Sequence, residues 1–141
     1  MTDLQSAKQL LLEGEHTCVL RKNEIVYTST LRGVKPLVIW LSSDEDFHGF
    51  SAADKVIGKA TAFLYVLLGV KAVYASVISK GALDVLTKNG IDTQCGCVVE
   101  HIINRTGDGI CPFEVAVADI TDADSAYTAI RRKMEQLHIS L

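Results

Sequence analysis

The sequence lacks most of the features that assign a function quickly. Its longest nearly apolar run, Ala60 to Val70 with Thr61 inside it, is eleven residues, against the roughly 20 that a membrane-spanning helix needs. Basic residues do not exceed acidic ones: 14 Lys and Arg stand against 17 Asp and Glu, for a net charge of −3. No nucleic-acid partner held by bulk positive charge is therefore expected. Two prolines and ten glycines in 141 residues exclude a collagen-like or linker chain. Met1-Thr2-Asp3-Leu4-Gln5 has no basic stretch followed by an apolar one, so no secretory leader is read there. The four cysteines, Cys18, Cys95, Cys97 and Cys111, then read as free thiols of a reducing cytoplasm. What remains is ordinary globular composition, 48% hydrophobic and 22% charged, in a chain the size of one domain, residues 1–141.

Along the chain, Leu4, Ala7 and Leu11 make a helical stripe over Asp3 to Glu13, with Asp3 as cap and Gly14 as stop. Thr17 to Arg21 and Ile25 to Thr28 flank Lys22-Asn23-Glu24, the pattern of a hairpin. Pro36 suits the first turn of a helix to about Leu41. Ser42 to Gly49 is a polar loop. A long helix is predicted from about Ala52 to Leu68, ended by Gly69. Val70 to Ile78 reads as a buried strand, Gly81 to Lys88 as a short helix stopped by Asn89-Gly90, and Ile91 to Val99 as a strand weakened by Gly96. Cys111-Pro112 opens a further helix, and Asp122 or Asp124 caps a last one through about Gln136. This order predicts an α/β fold, a three-layer α/β/α sandwich with a mixed sheet. Ligands in such sheets bind beyond the carboxyl ends of the strands.

Three segments carry candidate chemistry. In the predicted long helix, charges cluster at the start: Asp54, Lys55 and Lys59. Lys55 and Lys59, four apart, share a helical face, and two cations at a helix N-terminus oppose its dipole unless an anion lies between them. Asp54 reads either as a cap paired with Ser51 or as a catalytic group; the lysines read either as ligand-binding or as solvated. The second segment, Asn104 to Glu114, holds two glycines, Thr106 and Arg105 before a helix, an arrangement suited to cradling an anion. Cys111, at the start of that helix, reads either as an activated thiol nucleophile or as a small buried hydrophobe. Glu114 closes the cap or acts as a base. The third segment, Cys95-Gly96-Cys97 with His101, joins Cys111 in a metal site only through a spacing that matches no zinc pattern; no metal and no cofactor are expected.

Three motifs together, Arg32-Gly33-Val34-Lys35-Pro36-Leu37, Ala53 to Ala60 and Ile103 to Pro112, resemble an uncharacterised prokaryotic domain family. The resemblance runs from about Leu10 to Met134 and implies a cytidine-deaminase-like fold without an assigned activity. Zinc deaminases carry His/Cys-x-Glu on one helix and Pro-Cys-x-x-Cys on the next. Ala53-Asp54-Lys55 and Ser79 to Leu83 offer neither, so zinc-dependent deamination is not expected to follow from the resemblance.

The expected function is binding of a small anionic molecule, a nucleotide or phosphorylated metabolite, by Lys55, Lys59 and Arg105 with Asn104 and Thr106, with Arg32 and Lys35 at the rim and Asp54 orienting the ligand. Two alternatives stay open. One is an enzyme with Cys111 as nucleophile. The other is a non-catalytic interaction module, for which the mean hydropathy of +0.23 points to a homodimer face.

Overall fold

The structure, a computed structural model, describes residues 1–104 and 106–141. Its first helix, α1 (Asp3–Glu13), is capped by Thr2 rather than Asp3: the Gln5 N–H donates to the Thr2 hydroxyl at 3.1 Å, and the Thr2 N–H donates back to the Gln5 side chain at 2.8 Å. That reciprocal box satisfies two of the N–H groups a helix start leaves bare. Strands β1 (Cys18–Lys22) and β2 (Ile25–Ser29) form the expected hairpin, turned by Asn23 at φ 55°, a left-handed conformation that Asn tolerates better than most residues. Helix α2 (Lys35–Ser42) carries Pro36 in its first turn. Then follow β3 (Ser51–Ile57), α3 (Lys59–Leu68), β4 (Ala72–Ser79), α4 (Lys80–Lys88), β5 (Asp92–Val99), α5 (Pro112–Ala116) and α6 (Ala123–Gln136). Asp122 caps α6, accepting from the Ser125 N–H at 2.8 Å.

The long helix predicted from Ala52 to Leu68 is corrected: its first third is strand β3, and Gly58 separates that strand from α3. Tertiary pairing decides the matter. Ala52 sits between Leu20 of β1 and Val73 of β4, and Ala53 between Val19 and Tyr74. Both sides of β3 are therefore hydrogen-bonded, and ladder bonds on two sides outweigh the few tenths of a kcal/mol by which alanine prefers helix. Lys55 and Lys59 consequently do not share a helical face; one lies on a strand and the other opens a helix.

The sheet runs β2-β1-β3-β4-β5. The β1 neighbours are antiparallel, whereas β3–β4 and β4–β5 are parallel, joined through α3 and α4. It is thus a mixed five-stranded sheet within an α/β fold. The layers are unequal. Helix α1 alone packs Leu4, Ala7 and Leu11 onto Val19, Ala53, Ala72 and Tyr74. The opposite face carries the larger core, in which Leu37, Phe63, Leu64, Tyr65, Leu86, Ile130 and Met134 meet Leu20, Ala52, Val73 and Ile78. Helix α3 lies against α2, α4, α5 and α6 as well as β3, which is why it is apolar nearly all round. None of the described helices is long and apolar enough to cross a membrane.

Candidate functional site

The carboxyl ends of β3 and β4 each lead directly into a helix, through Gly58-Lys59 and Ser79-Lys80. Two helix N-termini therefore lie side by side at one edge of the sheet, α3 packing on α4. The Ser79 hydroxyl caps α4, accepting from the Ala82 N–H at 3.1 Å. Gly58 has no side chain with which to cap α3. The cap comes instead from Glu114, whose carboxylate accepts from the Ala60 N–H at 3.2 Å. A Cβ on Gly58 would lie 2.6 Å from that carboxylate, so the glycine is what leaves room for it. The positive end of α3 thus holds a negative group brought from 54 residues away in sequence, as the helix dipole favours.

Lys59 completes the clamp. Its ammonium donates to the Ala118 carbonyl at 2.9 Å, just past the end of α5, and stands 5.8 Å from the centroid of the Phe63 ring. A cation at the carbonyl end of one helix and a carboxylate at the amino end of another bind α5 to α3. Helix α5 itself buries no residue fully. Gly58→Ala should push the Glu114 carboxylate off the Ala60 N–H and cost about 1 kcal/mol, the worth of a lost cap. Glu114→Ala should cost about the same, and the double variant no more than either single one. Denaturant melts of the three variants check this; additive losses would show that the two residues act independently.

Asp54 is not at this edge. It lies inside the core, opposite Cys18 in the β1–β3 register. The Tyr65 hydroxyl donates to Asp54 Oδ2 at 2.7 Å and lies 2.9 Å from Cys18 Sγ, while the Val56 N–H reaches Asp54 Oδ1 at 3.4 Å. Burial pushes the carboxyl up to about 7, against the downward pull of the hydrogen bonds from Tyr65 and the backbone. Burial, and secondarily the charge of Asp54, also raises the Cys18 thiol and the Tyr65 hydroxyl well above their usual ranges. Asp54 is therefore one member of a buried Cys18–Tyr65–Asp54 chain in which two partners came from outside the motifs. Cys18 stands in a short β-like run of which three successive residues are buried, and no local signal ties it to Tyr65.

The remaining candidates divide into separate groups. Lys55 is exposed on β3, and its N–H donates to the Thr17 carbonyl at 3.2 Å. The Thr17 hydroxyl in turn bonds the Leu31 carbonyl, so the backbone of Lys55 is tied through Thr17 to the segment before the exposed Arg32. In the 104–109 loop, the Asn104 amide donates to Asp108 Oδ1 at 3.0 Å, and the Thr106 hydroxyl bonds both Asp108 and Asn104. The Thr106 and Asn104 hydrogen bonds hold the Asp108 carboxyl below its usual range. The cradle predicted for a ligand anion thus encloses the chain's own carboxylate. Arg105 lies outside the described residues. Cys111 is the N-cap residue of α5, half-buried, and among the described residues its thiol has no hydrogen-bonded base. Cys95 and Cys97 are exposed on β5, and all four cysteines are free. Among the described residues no three His, Cys, Asp or Glu side chains are grouped to hold a metal. An open groove of about 550 Å³ lies at the other end of the parallel strands, lined by Asp3, Ser51, Lys71, Asp92 and Gln94 among others, and includes none of the predicted site residues.

A family model, TM1506, a domain of unknown function (DUF1893), matches residues 6–134. The chain belongs to this family. A crystal structure of a DUF1893 family protein (TM1506) from Thermotoga maritima is similar to this DUF1893 chain over 94% of its length and 91% of the other's, with a TM-score of 0.86 and 23% sequence identity. At that identity the likeness speaks for the fold alone. No curated protein matches the chain.

Proposed function

We propose that this DUF1893 domain has a cytidine-deaminase-like fold and binds a small anionic ligand, a nucleotide or phosphorylated metabolite, at the carboxyl edge of its parallel strands. The paired helix starts after β3 and β4 support the fold assignment, since zinc deaminases place their two metal-binding motifs on successive helices. Here those helix starts read Gly58-Lys59-Ala60 and Ser79-Lys80-Gly81-Ala82. Neither offers a thiolate or imidazole to zinc. The observation that carries the binding reading is the carboxylate of Glu114 on the Ala60 N–H, in space left by Gly58. The α3 end accepts an oxyanion, and a ligand phosphate competes with Glu114 for the same donor. Binding is favoured over thiol catalysis because the Cys111 thiol has no hydrogen-bonded base among the described residues, and Asp54 is enclosed in the core.

Thermal shift with inorganic phosphate, AMP and ADP tests this. Ligand that binds only the native state raises the melting temperature as its concentration passes Kd. Glu114→Gln removes the competing charge and should increase the shift several-fold at equal ligand concentration; Lys59→Ala should reduce it. No shift with any of the three anions on either the native chain or Glu114→Gln would overturn the reading.

A further inference from the structure

Strand β5 closes the sheet on one side, and among the described residues no strand pairs with its outer edge. It is eight residues long, and Gln94, Cys95, Gly96, Cys97 and Val98 are all exposed. An open edge of that length presents a row of unpaired N–H and C=O groups, which proteins usually guard with proline, lysine, a bulge or a covering segment. Asp92–Val99 contains neither proline nor lysine. Its register with β4 keeps one offset throughout, from Ala72↔Asp92 to Ser79↔Val99, so there is no bulge either. The other edge, β2, is only five residues long.

The sequence of this edge is nearly its own complement. Gly96 stands at the middle of the uncharged run from Thr93 to Val99, and charge appears only at the ends, in Asp92 and in Glu100 with Lys80. We propose that β5 pairs antiparallel with β5 of a second copy about a two-fold axis at Gly96, so that Cys95 faces Cys97 of the partner subunit. In that register, residues whose numbers sum to 192 are opposite. Each half-interface then repeats the other, as an isologous contact requires. Gln94 meets Val98 of the partner subunit, and Thr93 meets Val99 of the partner subunit. Asp92 of the partner subunit comes to the end where Lys80 already bonds Glu100, so one ammonium sits between two carboxylates rather than leaving two carboxylates face to face. At the axis the bare backbone of Gly96 keeps the strands free of a side chain. The residue is fixed as glycine by its own subunit, since a Cβ there would lie 2.8 Å from the Ser76 carbonyl oxygen. Pairing of this kind extends one sheet across two copies and buries Val98, 42% exposed in the single chain.

The test uses the two thiols as a ruler, in a Cys111→Ser background, Cys18 being buried. Diamide takes two electrons and two protons from a thiol pair, forming one S–S bond and the corresponding hydrazine. The chain with both Cys95 and Cys97 should give a covalent dimer. Cys95→Ala alone and Cys97→Ala alone should give almost none, because each leaves only thiols that do not face one another. An equimolar mixture of the two variants should regain the dimer, by joining Cys97 of one to Cys95 of the other; closure within one chain is impossible in either variant. Light scattering of the reduced protein should show about twice 15.3 kDa, and Val98→Lys should return it to one chain with its melting transition intact. A single-chain mass at high protein concentration, cross-linking by either single variant as strong as with both thiols, or a mixture that stays monomeric would each overturn the proposal. Capture of a foreign strand in place of a second copy would appear as the first of these.

Discussion

Replacing Asp54 by Asn should make the protein's stability far less dependent on pH between about 4 and 7. In the folded chain burial raises the Asp54 carboxyl from the ordinary 3.8 to about 7. The folded state therefore holds a proton that the unfolded state has already released. Stability from this group is complete below pH 4, falls as pH rises through the interval, and is lost above about pH 7. Some three pH units at 1.36 kcal/mol each set an upper limit of about 4 kcal/mol. Asn is neutral throughout and removes the slope, while the exposed carboxylates titrate in both proteins and cancel in the difference. Urea unfolding of the two chains at pH 4.5, 6 and 8 measures it. Parallel stability curves would show that Asp54 does not change protonation in this range.

Tyr65→Phe should be the more damaging change at high pH. With Asp54 ionised, the Tyr65 O–H donates to it at 2.7 Å, and the Cys18 S–H is free to donate to the tyrosine oxygen at 2.9 Å. Phe keeps the ring and deletes the donor. The buried carboxylate then loses its shortest donor and keeps the longer Val56 N–H at 3.4 Å, with weaker help from Cys18 and the Lys55 N–H, and Cys18 loses the tyrosine oxygen. Leaving a buried charged acceptor short of donors costs about 3 kcal/mol at pH 8. At pH 5 the carboxyl is neutral, and the loss should shrink to about 1 kcal/mol, the value of an ordinary hydrogen bond. An equal loss at both pH values would show that the hydroxyl does not serve the charged form. The two variants together separate the cost of burying the carboxylate from the benefit of the hydroxyl that serves it.

Much of the fold was legible because local chemistry and tertiary context agreed. Asn23 could take the hairpin's left-handed position, Pro36 could open α2, Asn89-Gly90 could end α4 and Asp122 could cap α6, and each does so. The apolar stripe of α1 became the face laid on the sheet. The reading failed where a segment's partners lie far away in sequence. Ala52 to Ile57 has a composition that suits a helix, and only flanking strands on both sides make it β3. Gly58 was the available sign, a helix breaker inside the supposed helix, and it marks the true boundary.

The candidate site was legible in its residue types and not in their pairing. Cationic groups and free N–H groups point to anions, and the chain supplies its own: Glu114 for the start of α3 and Asp108 for the loop around Asn104 and Thr106. Glu114, whose place in the sequence suits a cap of its own helix or a base, caps another helix, which no spacing in the chain reports.

By itself the sequence determined the identity and order of nearly all the elements, because caps, turn residues and periodic burial act within a few residues and need no distant partner. Tertiary structure alone decided that β3 is a strand, that Asp54 joins Cys18 and Tyr65 in the core, and that Lys59 and Glu114 clamp α5 to α3. Each of these depends on which backbone or side-chain groups arrive from far along the chain to satisfy hydrogen bonds and charge, and such groups are chosen only when the sheet closes and the helices pack upon it.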